Sequence, residues 1–272
     1  MAAVIADRTD GVSLAPIPAA LFEHPAFALY REYLPTLEAS SAGDWVESAS
    51  VIPRLVVPPV RAAGAMDFER RIVEQNELIV RPDSLHDTVN ALVWHTFPEA
   101  KRAISETHVA LGAAATANGR PRRRDILTLF DEAGALIISQ RDDLRTLHEA
   151  HEWRRLFVDH RAEFVRDCRV ILFGHGTLEQ LASNPHRGLT TKALWLPLAA
   201  GATVDEMDAL LASGIASGTL LAASERRLAL PILGVPGWFP DSEAPDCYGD
   251  IDVFRPLRTH MSARRVPVGD SR

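Results

Sequence analysis

The alternation of apolar and polar residues along the chain predicts helices most clearly. In the segment SLHDTVNALVWHTF, Ser84 stands where a helix begins, Asp87 is its third residue, and Pro98 ends the run. Pro98 also suits the first position of a second helix, which has Thr96 and Glu99 as a capping pair and continues to about residue 114. We therefore expect two consecutive helices, at 85–97 and 98–114, that meet at a corner.

A third helix is expected at residues 204 to 213. Thr203 and Glu206 form its capping pair, and Gly214 stands where a helix commonly ends. Upstream, RVILFGHG indicates either a strand that runs into a helix at 177–183 or part of one long helix from about residue 160. The apolar spacing fits both, so these alternatives stay open.

Strand patterns are fewer. The segment ILTLFDEAGALIIS has branched and aromatic residues on both sides of the turn-forming DEAG, which predicts a β-hairpin at 126–139. LTTKALWLPL adds a further strand. From Pro231 onward, prolines and glycines are too frequent for long regular elements, so we expect an ordered loop that packs Trp238 and Phe239. These elements predict a mainly helical α+β fold with a small antiparallel sheet.

Length, composition and charge narrow the class of protein. With 272 residues, of which 47% are hydrophobic, the chain is long enough for one globular domain over 1–256, followed by a basic, flexible tail at 257–272. No apolar run reaches the roughly 20 residues that cross a bilayer, and charges interrupt the apolar start of the chain, so neither a membrane span nor a secretory signal is expected. The formal charge of −7 disfavours general nucleic-acid binding. The two cysteines, Cys168 and Cys247, fit no disulfide framework, which favours the cytoplasm.

Candidate chemistry is concentrated in the helix at 85–97. On a helical wheel His86, Asp87 and Asn90 border the apolar face, whereas Thr88 and His95 lie on the far side, where we expect solvent. Imidazole, carboxylate and amide grouped this way suit a metal ion, a water molecule or a substrate amide. In the plainer interpretation, the aspartate caps its own helix while the other two side chains hydrogen-bond neighbouring backbone.

Partners for these side chains are expected elsewhere in the chain. His175 is the best candidate, because glycines on both sides of it let the backbone approach closely. Asp125, placed before the first strand of the predicted hairpin, is positioned to pair with Arg124 or with the helix histidine. Asp131 and Glu132 fall in the predicted turn, where such residues are common without a function.

Five segments, taken together and in order, resemble a known family. They are LHDTVNALVWHTFPEAK (85–101), RDILTLFDEAGALI (124–137), LFGHGTLEQL (172–181), PILGVPGWFP (231–240) and DIDVFRP (250–256). The set resembles an uncharacterised bacterial family catalogued as domain of unknown function 3025, over a core of about residues 70 to 256. The resemblance implies one continuous domain and transfers no mechanism. The polar residues on its motif positions are His86, Asp87, Asn90, Lys101, Arg124, Asp125, Asp131, Glu132, His175, Glu179, Asp250 and Arg255.

Our first hypothesis is a cytoplasmic enzyme, hydrolytic or otherwise acid–base, that acts on a small polar or anionic molecule. His86, Asp87 and His175 would bind a divalent metal such as zinc, manganese or iron, or would move protons, and Asp125 would be a further catalytic group. The substrate would be held by Asn90, Lys101, Arg124 and Arg255.

The second hypothesis is a non-catalytic binding or scaffold protein. The same histidine, aspartate and asparagine side chains would form an internal hydrogen-bond network that pins helix 85–97 against the hairpin. Arg255 and the basic tail that follows it would then contact an acidic protein partner.

Overall fold

The structure, a computed structural model, describes residues 12–18, 22–41, 51–58, 64–113, 122–222 and 228–257. Its α-helices are α1 (Leu34–Ser41), α2 (Ala65–Gln75), α3 (Leu85–Thr96), α4 (Pro98–Ala113), α5 (Arg122–Ala133), α6 (Asp142–Glu149), α7 (Arg161–Asp167), α8 (His175–Ser183) and α9 (Val204–Ser217). Its strands are β1 (Arg54–Val56), β2 (Glu77–Ile79), β3 (Gly134–Ile138), β4 (Arg169–Leu172), β5 (Thr190–Leu196) and β6 (Leu228–Pro231). Short 3₁₀ segments lie before α1 and after β6, and a π-helical segment, Arg155–Asp159, precedes α7. The mainly helical α+β prediction is confirmed.

The main sheet is mixed rather than purely antiparallel. Its strand order is β4-β3-β5-β6, in which β3 pairs in parallel with β5 while the two outer pairings are antiparallel. Every residue of β3 is buried, as expected for a central strand whose sequence, GALII, is apolar throughout. The strands β1 and β2 form a separate parallel pair.

The predicted hairpin at 126–139 is wrong. Its first half belongs to helix α5, and only residues 134–138 form a strand. Ile126, Leu127 and Phe130 are buried along one side of α5, and their spacing in the sequence fits a helix as well as a strand. Consequently Asp131 and Glu132 occupy the last turn of a helix, not a turn between strands.

Helix α3 begins as predicted, and Ser84 accepts a hydrogen bond from the backbone N–H of Asp87 at 3.2 Å. The expectation of a solvated far side is wrong, because Thr88 and His95 are both buried. The Thr88 hydroxyl accepts from the backbone N–H of Ala15, and His95 Nδ1 lies 2.8 Å from the carbonyl oxygen of Ala91. Chain segments distant in sequence therefore cover the face that the wheel assigned to water.

Helix α4 begins at Pro98 as predicted, but its cap comes from elsewhere. Thr96 donates its hydroxyl to the carbonyl of Leu92 at 2.9 Å and does not cap the helix. The carboxylate of Asp208, on α9, accepts instead from the backbone N–H groups of Glu99 and Ala100 at 2.9 and 2.8 Å. This tertiary cap ties α9 to the start of α4.

Of the remaining sequence predictions, the end of α9 differs from the structure and the others agree with it. The capping pair of α9 is present, but the helix continues to Ser217 and ends at the left-handed Gly218, whereas Gly214 lies tightly against Leu220. For residues 160–183 the structure has the strand-into-helix alternative, β4 followed by α8, and LTTKALWLPL contains β5. Trp238 and Phe239 pack on the core in an irregular segment, as predicted.

The predicted single domain over 1–256 includes residues outside the described ranges and stays a prediction, and residues 258–272 of the predicted tail lie outside them altogether. Within the described ranges, no helix combines the length and apolar character that crossing a bilayer requires.

Candidate functional site

Helices α3 and α8 pack against each other and bring His86 and His175 together. Their Nε2 atoms are 3.2 Å apart. The approach of α8 depends on Gly174, since a Cβ there would lie 2.5 Å from the backbone nitrogen of Gly134. The backbone N–H groups of Phe173 and Gly174 both donate to the Gly134 carbonyl. The start of α8 is therefore fixed against the end of α5, where the acidic residues 131 and 132 lie.

The imidazole of His86 is oriented by a carboxylate. Its Nδ1 lies 2.7 Å from Glu179 Oε2, one helical turn beyond His175 on α8. Because an ionised carboxylate only accepts hydrogen bonds, Nδ1 carries the proton that is donated to Glu179. In the neutral form of His86 with its proton on Nδ1, the lone pair of Nε2 is directed toward His175.

The imidazole of His175 is buried between two acidic side chains. Its Nδ1 lies 3.8 Å from Asp131 Oδ2 and has no hydrogen-bond partner among the described residues, and its Nε2 lies 3.5 Å from Glu132 Oε1. Asp131 is also paired with the buried ammonium of Lys101. Burial raises the pKa of Asp131, but the charges of Lys101 and His175 outweigh it and hold that pKa below its ordinary value. The hydrogen bond to His175 lowers the pKa of Glu132.

The cluster has an excess of negative charge. Asp131, Glu132 and Glu179 are opposed by Lys101, so the formal balance is −2 when both imidazoles are neutral. Two protonated histidines would restore neutrality. However, Nε2 atoms 3.2 Å apart cannot both carry a proton in this orientation without repulsion. A divalent cation between the rings would balance the charge without that conflict.

The spacing of the donor atoms also fits a metal ion. His86, Glu132 and His175 each offer one ligand atom, and these atoms lie within 4.8 Å of one another. At Zn–N lengths of about 2.0–2.1 Å, two tetrahedral ligand nitrogens lie roughly 3.3 Å apart, close to the observed 3.2 Å. The side chains of His86 and Glu132 are 31% and 45% exposed, so solvent reaches the group.

Asp87, which we expected among the ligands, faces a different partner. Its two carboxylate oxygens accept from the Nε and Nη2 of Arg81, both at 2.8 Å, and one of them accepts from the Arg81 backbone N–H at 2.7 Å. Burial raises the pKa of Asp87, but these bonds bring it below its ordinary value. Asn90, one helical turn after His86, is buried, and its Oδ1 has no hydrogen-bond partner among the described residues.

The other residues expected at the site are placed as follows. Lys101 is only 3% exposed, and its Nζ lies 5.7 Å from the centre of the Trp94 ring. Its ammonium is therefore paired with Asp131 and is not accessible to a ligand in solvent. Arg124 Nη2 lies 2.8 Å from Met66 Sδ, and Asp125 is in the first turn of α5.

Arg255 lies in the irregular C-terminal segment. Its Nε donates to the Asp252 carbonyl at 3.2 Å, and its own carbonyl accepts from Trp153 Nε1 at 2.9 Å. The structure thus brings together His86 and His175, whereas Arg124 and Arg255 have other partners. The roles assigned to all these residues, including Asp125, stay predictions.

Three members of the cluster, Asp131, Glu132 and Glu179, are absent from the catalytic and metal-binding residues predicted from the sequence. Glu132 was assigned to a turn because α5 was interpreted as a strand. Glu179 is four residues after His175, a spacing that places both side chains on one face of a helix. That spacing was the available signal, and it depended on deciding that residues 175–183 are helical.

Comparison with known proteins identifies a family, and the description of that family names no activity. A family described as "Protein of unknown function (DUF3025)" matches residues 56–258. No curated protein and no solved structure matches the chain.

Proposed function

The chain belongs to the family described as "Protein of unknown function (DUF3025)", and since that description names no activity, we propose a function from the site itself. In this proposal the protein is a divalent-metal-dependent enzyme that hydrolyses a small polar or anionic substrate. The observation that carries the proposal is the pair of Nε2 atoms 3.2 Å apart, each on a ring whose other nitrogen faces a carboxylate.

His86 Nε2, His175 Nε2 and Glu132 would hold the metal ion. Histidines that bind metals usually direct their second ring nitrogen at a carboxylate or carbonyl, which fixes the tautomer and strengthens the ligand. Glu179 stands in that position for His86, and Asp131 does so for His175 at the longer distance of 3.8 Å. Two nitrogens and one carboxylate oxygen suit zinc, manganese or iron.

Such an ion, when bound, would polarise a carbonyl or phosphoryl oxygen and lower the pKa of water. The chain's own residues supply the remaining requirements. Glu179 keeps the proton of His86 on Nδ1, and Lys101 keeps Asp131 ionised beside His175. The partial exposure of His86 and Glu132 leaves one side of the group open to a substrate.

The cytoplasm is the compartment that we propose for this enzyme. Cys168 and Cys247 are both free, and Cys168 is buried, as is usual for proteins of reducing compartments. The excess of acidic residues is consistent with a small-molecule substrate rather than nucleic acid.

The first experiment measures metal binding. Protein purified without chelator is analysed for bound metals, then stripped and titrated with Zn²⁺ and Mn²⁺ by calorimetry. We expect one site per chain that is weakened at least tenfold in His175→Ala and in Glu132→Gln. The matched control is Glu74→Gln, which removes an exposed glutamate of α2. If the wild type binds no divalent ion and His86→Ala fails to fold, the histidine cluster is a structural network and the proposal is wrong.

The second experiment measures hydrolysis. Metal-loaded and chelated protein are compared on nitrophenyl esters of acetate and phosphate. We expect turnover that depends on the metal and is lost in Glu132→Gln, but not in Glu74→Gln. Stoichiometric metal binding without metal-dependent turnover on any tested ester or phosphate would contradict the hydrolytic assignment.

A further inference from the structure

Arg81 is an exposed cation that is hydrogen-bonded to Asp87, the residue that follows His86 on α3. Its side chain is 63% exposed, yet Asp87 accepts from its Nε, its Nη2 and its backbone N–H at 2.7–2.8 Å. Most exposed arginines move among several rotamers, because a surface ion pair stabilises one geometry only weakly. The two hydrogen bonds from the Arg81 guanidinium to one largely buried carboxylate, which the Arg81 backbone N–H also holds, restrict this side chain more.

The guanidinium has hydrogen-bond donors that Asp87 does not use. Arginine carries five N–H groups in a planar fork, and Asp87 uses one on Nε and one on Nη2. Both N–H groups of Nη1 and the second N–H group of Nη2 remain. Neighbouring donors on Nη1 and Nη2 can bind a carboxylate or a phosphate through two parallel hydrogen bonds.

The position of Arg81 links it to the proposed metal ligands. Asp87 directly follows His86 on α3, so the residue that orients the arginine is the sequence neighbour of a ligand. On the other side, Glu179 bonds His86 at 2.7 Å, and its charge contributes to raising the pKa of Arg81. A continuous series of contacts therefore leads from the Arg81 guanidinium through Asp87 and the adjacent His86 to Glu179.

We propose that the free edge of Arg81 is an oxyanion-binding subsite of the same active site, and that Asp87 is its positioning residue. This inference rests on the proposed function and makes it more specific: the substrate carries a carboxylate or phosphate group, which Arg81 binds while the scissile bond lies at the metal. The role that we had assigned to Lys101 and Arg124 from the sequence passes to Arg81, because the former is buried in an ion pair and the latter contacts Met66.

The test is calorimetry of metal-loaded protein with inorganic phosphate and, separately, with malonate, at constant ionic strength. We expect Arg81→Gln to weaken binding of at least one anion by about tenfold or more, while the affinity for the metal changes less than threefold. The control is Arg54→Gln, which removes another exposed arginine paired with a largely buried carboxylate, Glu77, on the separate β1–β2 pair.

The variant Asp87→Asn distinguishes the orientation of Arg81 from the charge of its partner as the cause of anion binding. The substitution removes a negative charge beside Arg81, so simple electrostatics would tighten anion binding, whereas loss of orientation would weaken it. We expect weaker binding. If the metal binds normally and Arg81→Gln leaves both anion affinities unchanged, or Asp87→Asn tightens them, the subsite is refuted while the metal proposal stands. If no metal binds, the proposed function itself has failed.

Discussion

The ion pair between Lys101 and Asp131 provides a quantitative test of how the cluster is supported. Lys101 is 3% exposed and Asp131 22% exposed, so removing one partner leaves the other charged in a poorly solvated position. Lys101→Met keeps most of the side-chain volume and removes the ammonium. Asp131→Asn keeps the shape of the carboxylate and removes its charge.

Breaking a buried ion pair by removing one partner costs about 3–5 kcal/mol of unfolding free energy. Asp131 retains some solvent contact and His175 lies nearby, so we expect Lys101→Met to cost about 2–3 kcal/mol, below that range. Asp131→Asn leaves the ammonium of Lys101 more completely buried and is expected to cost about 3 kcal/mol or more. The double variant should lose about 2 kcal/mol less than the sum, since the two groups share one interaction.

Urea denaturation of the four proteins, with chelator present, gives the free energies of unfolding. Chelator is needed because a bound metal would add its own stabilisation. Arg145→Met, which breaks the exposed pair between Arg145 and Glu149, is the control and should change stability by less than about 0.5 kcal/mol. The reasoning fails if Lys101→Met stays within 1 kcal/mol of wild type or if the two single losses are additive.

Three further predictions concern the same framework. Glu179→Gln should weaken metal binding by about 10–100-fold in calorimetry with little change in stability; an unchanged dissociation constant would contradict its orienting role. Gly174→Ala should cost at least about 2 kcal/mol in chemical denaturation, because its Cβ would meet backbone at 2.5 Å, whereas Gly201→Ala, with no atom within 4 Å, should not; equal losses would refute the close approach. Burial raises the pKa of Asp208 to about 6 from 3.8, so the folded state holds its proton more tightly and the resulting stability is full below about pH 4 and lost as the pH rises through 6. Relative to Asp208→Asn, wild-type stability should therefore fall by at most about 3 kcal/mol over that interval, and parallel pH profiles would contradict the assignment.

Local signals predicted the helices with their own capping residues. Ser84 caps α3 and the Thr203–Glu206 pair caps α9 as expected, because these hydrogen bonds join residues three positions apart. The hairpin failed for a physical reason. Apolar residues at 126, 127 and 130 fit one face of a helix as well as a strand, so the choice depended on what packs against them.

The contacts around the candidate site were predictable from sequence only in part. The flanking glycines pointed to His175 because a close backbone approach needs a residue without a Cβ, and the structure has that approach at Gly174. Sequence alone could not select the carboxylates that complete the cluster, Asp131, Glu132 and Glu179. Nor could it select Arg81 as the partner of Asp87. A polar group at the border of an apolar face needs a partner, but its spacing does not say which one.

Sequence alone thus determined where α3 and α9 begin, that the fold is mainly helical, and that polar side chains lie at the border of the apolar face of α3. Tertiary structure alone decided that α3 is buried on all sides from Asp87 to Thr96, which strands pair with β3, and which carboxylates contact each imidazole. Capping and periodicity act between residues a few positions apart, so one segment is enough to specify them. The contact between His86 and His175 spans 89 positions and is made where α3 packs against α8, whose start is held by hydrogen bonds to Gly134, directly after α5.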